Sequence, residues 1–407
     1  MNKEHDVVAR NVPLVLGLAF FQTFMVIIPV AVPFFQSKGL DMQDVLTLQA
    51  LFALVMVLFE VPSGYLADLL GRKVTLVLGS LCYGVGNSLL LVADGFWGLA
   101  AFEVCLALGA SLVSGADLAM IYDSEVALGR RNRPENRNGR VIGQLMGMRN
   151  YSEGLASLCC SLALLWGLQF AAYAQAAVGW LPLVLAVLLV EPPGERLARG
   201  SALGDMFDVL RHVLSSDALL RQIFIALAFW SLSTFYSVWL VQKIWSDHGL
   251  GLVHFGYLWG ALAVVAGVAG QSAHVLEERL GAVSLLGFLV VAPVLGYIGL
   301  AELGLVAGIV VTSLFFAARG VGLVILRNAF NERLPGRFRA TANSLASFGF
   351  RFGYVLTGPI LGWLLDIWGM HTALWLLAGV SLLLGVGLLV PLIWMLLRRE
   401  PAAANCS

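Results

Sequence analysis

Charged residues are scarce in this sequence. Aspartate, glutamate, lysine and arginine make up 12% of its 407 residues, whereas soluble domains carry about 25%. Hydrophobic residues make up 59%. A chain with so few charges cannot cover a water-facing surface, so the composition excludes an ordinary soluble protein and predicts one that crosses a membrane many times.

Several kinds of chemical site are also missing from the sequence. There is no G-x-x-x-x-G-K-[ST] phosphate-binding loop, so we expect no ATP hydrolysis as energy source. No Ser-His-Asp or metalloprotease spacing occurs, and the five cysteines suggest neither a disulfide framework nor a metal site. The net charge is zero and no basic arm is present. We therefore predict no enzyme, no cofactor and no nucleic-acid partner.

Long apolar runs are what the sequence has in abundance. Because roughly 20 apolar residues cross a bilayer, we predict an all-α fold of twelve transmembrane helices, the first of them retained and not cleaved as a signal peptide. The polar interruption from Glu191 to Arg221 divides them into an N-terminal bundle (1–191), a linker (192–218) and a C-terminal bundle with a short tail (219–407). The predicted spans are 12–36, 43–67, 73–93, 96–125, 139–166, 172–191, 219–243, 252–276, 281–300, 303–328, 339–364 and 371–397.

Lysine and arginine placement predicts the orientation. Every loop after an even-numbered span is basic, whereas only Lys38 and Lys243 lie on the other side. Basic loops stay in the cytoplasm, so we predict an inner (plasma) membrane protein with both termini cytoplasmic. The cluster after span four is the densest and contains Arg130, Arg131, Arg133, Arg137 and Arg140.

A short motif lies between spans two and three. It contains Gly64, Asp68, Gly71, Arg72 and Lys73, spaced as in G-x-L-A-D-x-x-G-R-K. This spacing resembles the signature loop of the major facilitator superfamily. The resemblance implies two pseudo-symmetric six-helix bundles that alternate access to a central site.

The resemblance also implies a cytoplasmic gate. Asp123 matches the span-four carboxylate that meets the signature-loop arginine in related transporters, so Arg72 and Asp123 are expected to hold that side shut. A solvated helix-end acid is the alternative for Asp123. In the second half the loop recurs in weaker form as Glu278-x-x-Gly281. His274 and Glu278 have the spacing of a metal pair, but we expect them to belong to this degenerate loop.

Three ionisable residues inside spans four and five are functional candidates, because charge within a bilayer is costly. Asp117 could face substrate or carry a proton, or it could form a structural ion pair with span five. Arg149 and Glu153 lie one helical turn apart, so they can pair locally.

Three further polar residues are candidates for the substrate pathway: Gln22 in span one, Arg319 in span ten and Arg351 in span eleven. Each arginine needs a carboxylate, carbonyl, water or anionic substrate, and interhelical salt bridges are the alternative. A polar cavity with an acidic residue from the N-terminal half and arginines from the C-terminal half would suit an organic anion or zwitterion.

The sequence therefore predicts a monomeric secondary transporter of a small polar organic solute, coupled to protons through Asp117 or Glu153. Resemblance to bacterial efflux members favours export by antiport of a siderophore-like, metabolite or drug-like substrate. Span five lacks the Gly-Pro motif of antiporters in this superfamily, which leaves import of an anion or zwitterion by proton symport as the alternative. A membrane sensor would need a long cytoplasmic domain, and a membrane enzyme would need clustered catalytic residues; the sequence predicts neither.

Overall fold

The protein is almost entirely helical. A computed structural model describes residues 8–128, 136–193, 202–335 and 338–404, and these residues contain no strand. The expected all-α fold is thereby confirmed. Both chain ends, the basic residues 130, 131 and 133, and part of the predicted linker (194–201) lie outside the described residues.

The first half contains nine α-helices among its described residues, several of them pieces of one predicted span. They are α1 (Asn11–Thr23), α2 (Ala31–Ser37), α3 (Met42–Leu70), α4 (Arg72–Leu89), α5 (Gly95–Val113), α6 (Ala116–Ala127), α7 (Asn136–Ala163), α8 (Leu168–Val178) and α9 (Leu181–Leu188).

The second half begins with a helix inside the predicted linker. Its described helices are α10 (Ala202–Ser215), α11 (Ala218–Phe229), α12 (Leu232–Phe235), α13 (Ser237–Asp247), α14 (Val253–Glu302), α15 (Leu305–Glu332), α16 (Arg339–Leu384) and α17 (Val390–Ala404).

Eight segments of the described chain are long and apolar enough to cross a membrane. Two of them, 253–302 and 341–398, are too long for one crossing, and each contains a non-helical glycine with positive φ, Gly281 or Gly369. Helices α4 and α7 correspond to predicted spans three and five and lie outside those eight. The arrangement is consistent with twelve crossings.

The described chain groups into two compact units. The first unit comprises described residues of 1–199 together with 251–260, which contain the start of α14. The second unit comprises described residues of 200–250 and 261–407. The predicted domain boundaries at 191 and 219 stay predictions.

Close glycine contacts bring α4 and α5 together in the first unit. A Cβ on Gly109 would lie 2.7 Å from the Gly79 carbonyl oxygen, and a Cβ on Gly79 would lie 3.0 Å from the Gly109 oxygen. Small residues permit such close backbone approach between membrane helices. This contact fixes the position of α5, and so of the polar residues that follow it.

The linker helix α10 packs into the core of the second unit. Val209 and Val213 are buried beside Leu219 and Ile223 of α11. Its alternation of apolar and polar residues at helical spacing explains this amphipathic packing. The sequence predicted the linker only as a polar interruption and did not predict this helix.

Candidate functional site

The fourth predicted span is broken in the middle. Helix α5 ends at Val113, and α6 begins at Ala116 after Gly115, whose φ of +83° is one that glycine readily adopts. Asp117 lies in the first turn of α6, where its Oδ1 accepts a hydrogen bond from the Leu118 backbone N–H at 2.7 Å. A carboxylate is favoured there by the unpaired N–H groups and the helix dipole.

Asp117 forms a buried ion pair with span five. Arg149 Nη2 lies 2.7 Å from Asp117 Oδ2, and the side-chain exposures are 31% for the arginine and 3% for the aspartate. The alternative of an ion pair with span five is therefore what the structure contains. Arg149 Nε is buried and has no hydrogen-bond acceptor among the described residues. One donor of the guanidinium is therefore without an acceptor among the described residues.

The local pair that spacing allows between Arg149 and Glu153 is not formed in the described structure. Glu153 Oε1 instead accepts a hydrogen bond from the indole Nε1 of Trp259 at 3.3 Å, inside the first unit. The carboxylate of Asp117, held by the helix break, offers Arg149 a closer partner than a neighbour on its own helix. Spacing along one helix could not anticipate this.

The signature motif turns more abruptly than expected. Helix α3 continues through Asp68 to Leu70, so Gly71 alone makes the turn, with φ of +98°. Most of the predicted loop, including Gly64, is therefore helical. The side chain of Asp68 lies outside the described residues.

A carboxylate from far along the chain caps this turn. Glu191 Oε1 accepts from the Arg72 backbone N–H at 2.8 Å, and Glu191 Oε2 accepts from the Lys73 N–H at 2.7 Å. Both N–H groups belong to the first turn of α4, where intrahelical acceptors are missing. A side chain at position 71 would collide with this carboxylate, because a Cβ there would lie 2.7 Å from Glu191 Oε1.

The predicted gate pair lies beside this cap. Arg72 Nε is 3.4 Å from Asp123 Oδ2, with side-chain exposures of 26% and 38%. The alternative of a solvated acid without a partner does not hold for Asp123. Whether the contact closes a gate stays a prediction.

Sequence reasoning missed Asn11, which holds Glu191 in place. Asn11 is fully buried. Its Nδ2 donates to the Val190 carbonyl at 2.7 Å and to Ser124 Oγ at 2.9 Å, and its Oδ1 accepts from the Val190 N–H at 3.0 Å. A polar residue at the start of an apolar run was the available signal. The network joins α1, α6, the segment after α9 and the turn before α4.

A second buried carboxyl group in the broken helix was not among the predicted site residues. Glu103 of α5 is 4% exposed, and its Oε1 accepts from Gln49 Nε2 of α3 at 2.6 Å. No ion pair joins Glu103 to a described residue. An intramembrane glutamate without a nearby basic residue in the sequence was the signal available.

The second unit holds the remaining candidates. His274 Nε2 lies 3.3 Å from Glu278 Oε1, both side chains being exposed, just before the Gly281 turn. Arg319 lies over the Phe316 ring with its Cζ 4.8 Å from the centroid, and Arg351 is half-buried in α16. In the first unit Gln22 is half-buried near the end of α1.

With the turn and the two helical units described, comparison with known proteins gives the family. The model of the Major Facilitator Superfamily matches residues 14–331, well over half of the chain. The chain belongs to the major facilitator superfamily. It is therefore a multi-pass membrane transporter of small-molecule substrates and not an enzyme.

Solved structures of transporters share the fold at low identity. The nucleoside transporter NupG has a TM-score of 0.74 at 13% identity, covering 93% of this chain and 98% of that one. A bacterial homologue of the human lysosomal transporter Spinster, inward-facing and unoccupied, has a TM-score of 0.70 at 17% identity, covering 97% and 96%. A D-xylose–proton symporter has a TM-score of 0.69 at 12% identity, covering 92% and 95%. The curated protein sequences contain no match.

Proposed function

We propose that this transporter moves a small organic anion or zwitterion together with a proton, and that Asp117 and Arg149 form the coupling pair. The observation that carries the proposal is the 2.7 Å ion pair between a nearly inaccessible aspartate and a partly accessible arginine. Such a pair is neutral as a whole, so a single proton changes its charge.

Protonation of Asp117 removes the counter-charge of Arg149. An arginine stays charged under all ordinary conditions, and an uncompensated cation in a membrane interior strongly attracts an anion. Substrate carboxylate or phosphate would then replace Asp117 as the acceptor for the guanidinium. Proton and anion therefore bind together, which is the requirement for symport.

Binding linkage makes this mechanism quantitative. If a proton raises anion affinity, the anion must raise proton affinity by the same factor. Anion affinity should fall about tenfold per pH unit once Asp117 has lost its proton, because one proton is linked to one anion. Antiport, the direction favoured by sequence resemblance, would need a substrate cation that displaces Arg149 from Asp117, and the close pair disfavours that exchange.

Two arginines in the second half also favour an anionic substrate. Arg319 and Arg351 are both half-buried within predicted spans. One solved structure of similar fold, a POT family transporter, is described in complex with 5-aminolevulinic acid, a zwitterion. That transporter has 15% identity, so it supports the fold and only suggests the substrate class.

Gate closure is the second part of the proposal. The Arg72–Asp123 pair, with the Glu191 cap and the Asn11 network behind it, holds the turn after α3 against α6. We propose that this contact closes the cytoplasmic side when the site opens outward, with Gly71 making the turn and Gly64, Asp68 and Lys73 as the other residues of the motif.

Proteoliposomes with a lumenal pH dye and an imposed pH gradient test the proposal. Organic anions, zwitterions and cationic drugs are added in turn. We expect anions or zwitterions to bring protons into the vesicles with them. Proton movement opposite to substrate, driven by cations, would contradict symport and favour export by antiport, and no proton movement with any transported class would contradict coupling.

A further inference from the structure

The second unit contains a cavity of about 420 Å³ at one end of its helices. Its inner wall is apolar, and six of its side chains are at most 5% exposed. These six are Leu219, Ile223, Leu286, Ile325, Leu326 and Leu392, and the partly buried Leu396 completes the wall. Small-molecule sites are usually concave, mostly apolar and about 300–1,000 Å³ in volume, so this cavity has the size of a ligand site.

The cavity rim carries both signs of charge. Glu277, Glu332 and Arg333 line it, together with His274 and Asn328. Glu277 is half-buried and forms no ion pair with any described residue. Arg333 Nη1 donates to the Ala329 carbonyl at 2.7 Å and lies 4.0 Å from Glu332 Oε2. The rim therefore offers carboxylates to a cation and a guanidinium to an anion.

The cavity lies where the helices end, which places it at a membrane boundary. Leu219 is the second residue of α11, Glu332 is the last residue of α15, and Ala282 directly follows the Gly281 turn. At such a boundary a bilayer presents headgroups next to the first carbons of acyl chains. An apolar wall below a charged rim complements a molecule of that shape.

The first half shows how this chain fills a comparable turn. There, Glu191 follows the last helix of the half and its carboxylate caps the turn after Gly71. In the second half the last helix, α17, brings Leu392 and Leu396 to the cavity beside Ala282. Leu392 and Leu396 therefore give the cavity beside the Gly281 turn an apolar wall, and neither residue carries a carboxylate that could cap the turn.

We propose that this cavity binds a phospholipid with a primary ammonium headgroup, of the phosphatidylethanolamine type. Glu277 and Glu332 accept hydrogen bonds from the ammonium, Arg333 and His274 contact the phosphate, and an acyl chain lies on the leucine and isoleucine wall. Two carboxylates at the rim repel lipids of net negative charge. A quaternary ammonium has no N–H to donate, so phosphatidylcholine is the poorer ligand.

Native mass spectrometry of the detergent-purified full chain tests the proposal. The protein is titrated with phosphatidylethanolamine, phosphatidylcholine and phosphatidylglycerol of identical chains, and with soluble glycerophosphoethanolamine. We expect the first bound phosphatidylethanolamine to be about tenfold tighter than the other two lipids, the effect of one charge-assisted hydrogen bond. The soluble headgroup should bind at least tenfold more weakly than the lipid.

Two variants and one control assign the binding to the cavity. Glu277→Gln should remove the preference over phosphatidylcholine, and Ala282→Trp should abolish the first binding event by filling the space. Glu302→Gln makes the same chemical change at the other end of α14 and should leave the preference unchanged. Thermal unfolding of each variant checks that it is folded.

Three results would overturn the proposal. They are equal affinity for the three lipids, a preference that survives Glu277→Gln in folded protein, and soluble headgroup bound as tightly as lipid. The last would identify a soluble ligand instead.

Discussion

Asp117 and Glu103 lie in the two pieces of one broken helix, and both are nearly inaccessible to solvent. They differ in their partners. Asp117 Oδ2 meets the Arg149 guanidinium at 2.7 Å, whereas Glu103 Oε1 meets the Gln49 amide at 2.6 Å. The two contacts have nearly equal lengths, but the partner of Asp117 is a cation and the partner of Glu103 is a neutral amide.

The difference shows which carboxyl group can link a proton to a charged substrate. Loss of charge on Asp117 leaves an arginine uncompensated, and an anion can then bind. Protonation of Glu103 would leave no described cation without its counter-charge, because its partner is the neutral Gln49 amide. Glu103 therefore fits a packing role between α3 and α5, and Asp117 fits a coupling role.

Removing the cation should have the largest effect. Arg149→Gln leaves the Asp117 carboxylate buried without its cation, and breaking a buried pair typically costs about 3–5 kcal/mol. Because Arg149 is partly exposed, we expect about 3 kcal/mol, a lower thermal unfolding temperature and loss of anion binding.

The double variant Asp117→Asn/Arg149→Gln sharpens this result. Neutralising both partners should restore most of the stability but none of the anion binding. Recovered binding in the double variant would show that the guanidinium does not hold substrate. Unfolding in detergent and equilibrium binding measure the two quantities separately.

The second arginine–aspartate pair lies nearer the surface. Arg72→Ala removes the contact with Asp123, and because exposed pairs contribute about 0–1 kcal/mol, stability should change little. We expect transport in proteoliposomes to fall at least tenfold while anion binding persists. Full transport activity would remove the gate role from this pair.

The Glu191 cap should have a moderate effect. Glu191→Gln keeps one acceptor but loses the charge beside the α4 N-terminus, a loss of about 0.3–1 kcal/mol. We expect slower transport and an earlier thermal transition. Asp41→Asn is a matched control, because Asp41 caps α3 at its other end by accepting from Asp44 N at 2.7 Å. This control should lower stability similarly and leave transport unchanged.

Neutralising the second buried carboxyl group should have the smallest effect. Glu103→Gln keeps an acceptor for Gln49 and removes an ionisable group that lacks a described cation. We expect transport within about twofold and stability within about 0.5 kcal/mol, as for a change that leaves its hydrogen bond in place. A loss of pH dependence in this variant would transfer the coupling role from Asp117 to Glu103.

Hydropathy and the signature motif predicted the helices, the family and the Gly71 turn. Apolar runs must be helical in lipid, because backbone groups need internal partners there, and a glycine suits a φ of +98°. The motif also predicted Arg72 beside Asp123. These features depend on residues close in sequence or on a known spacing.

Partners far apart in sequence were predicted only where a motif or an intramembrane charge pointed to them. Asn11 meets Val190 across 179 positions, and Glu191 meets Arg72 across 119. Spacing allowed Arg149 to pair with Glu153 one turn away and left an ion pair of Asp117 with span five open; the partner is Asp117, 32 positions earlier. The tertiary fold decides that choice, because it brings Arg149 of α7 to Asp117 just after the break at Gly115.

Substrate counterflow by the Asp117→Asn variant tests most directly the central claim that Asp117 carries the coupled proton. Proteoliposomes loaded with unlabelled substrate exchange it for labelled substrate without net proton movement, whereas accumulation under a pH gradient needs the coupled proton. We predict that Asp117→Asn keeps counterflow but no longer accumulates substrate when the gradient is imposed. Accumulation equal to wild type in this variant would contradict the account, because the proton would then be carried elsewhere.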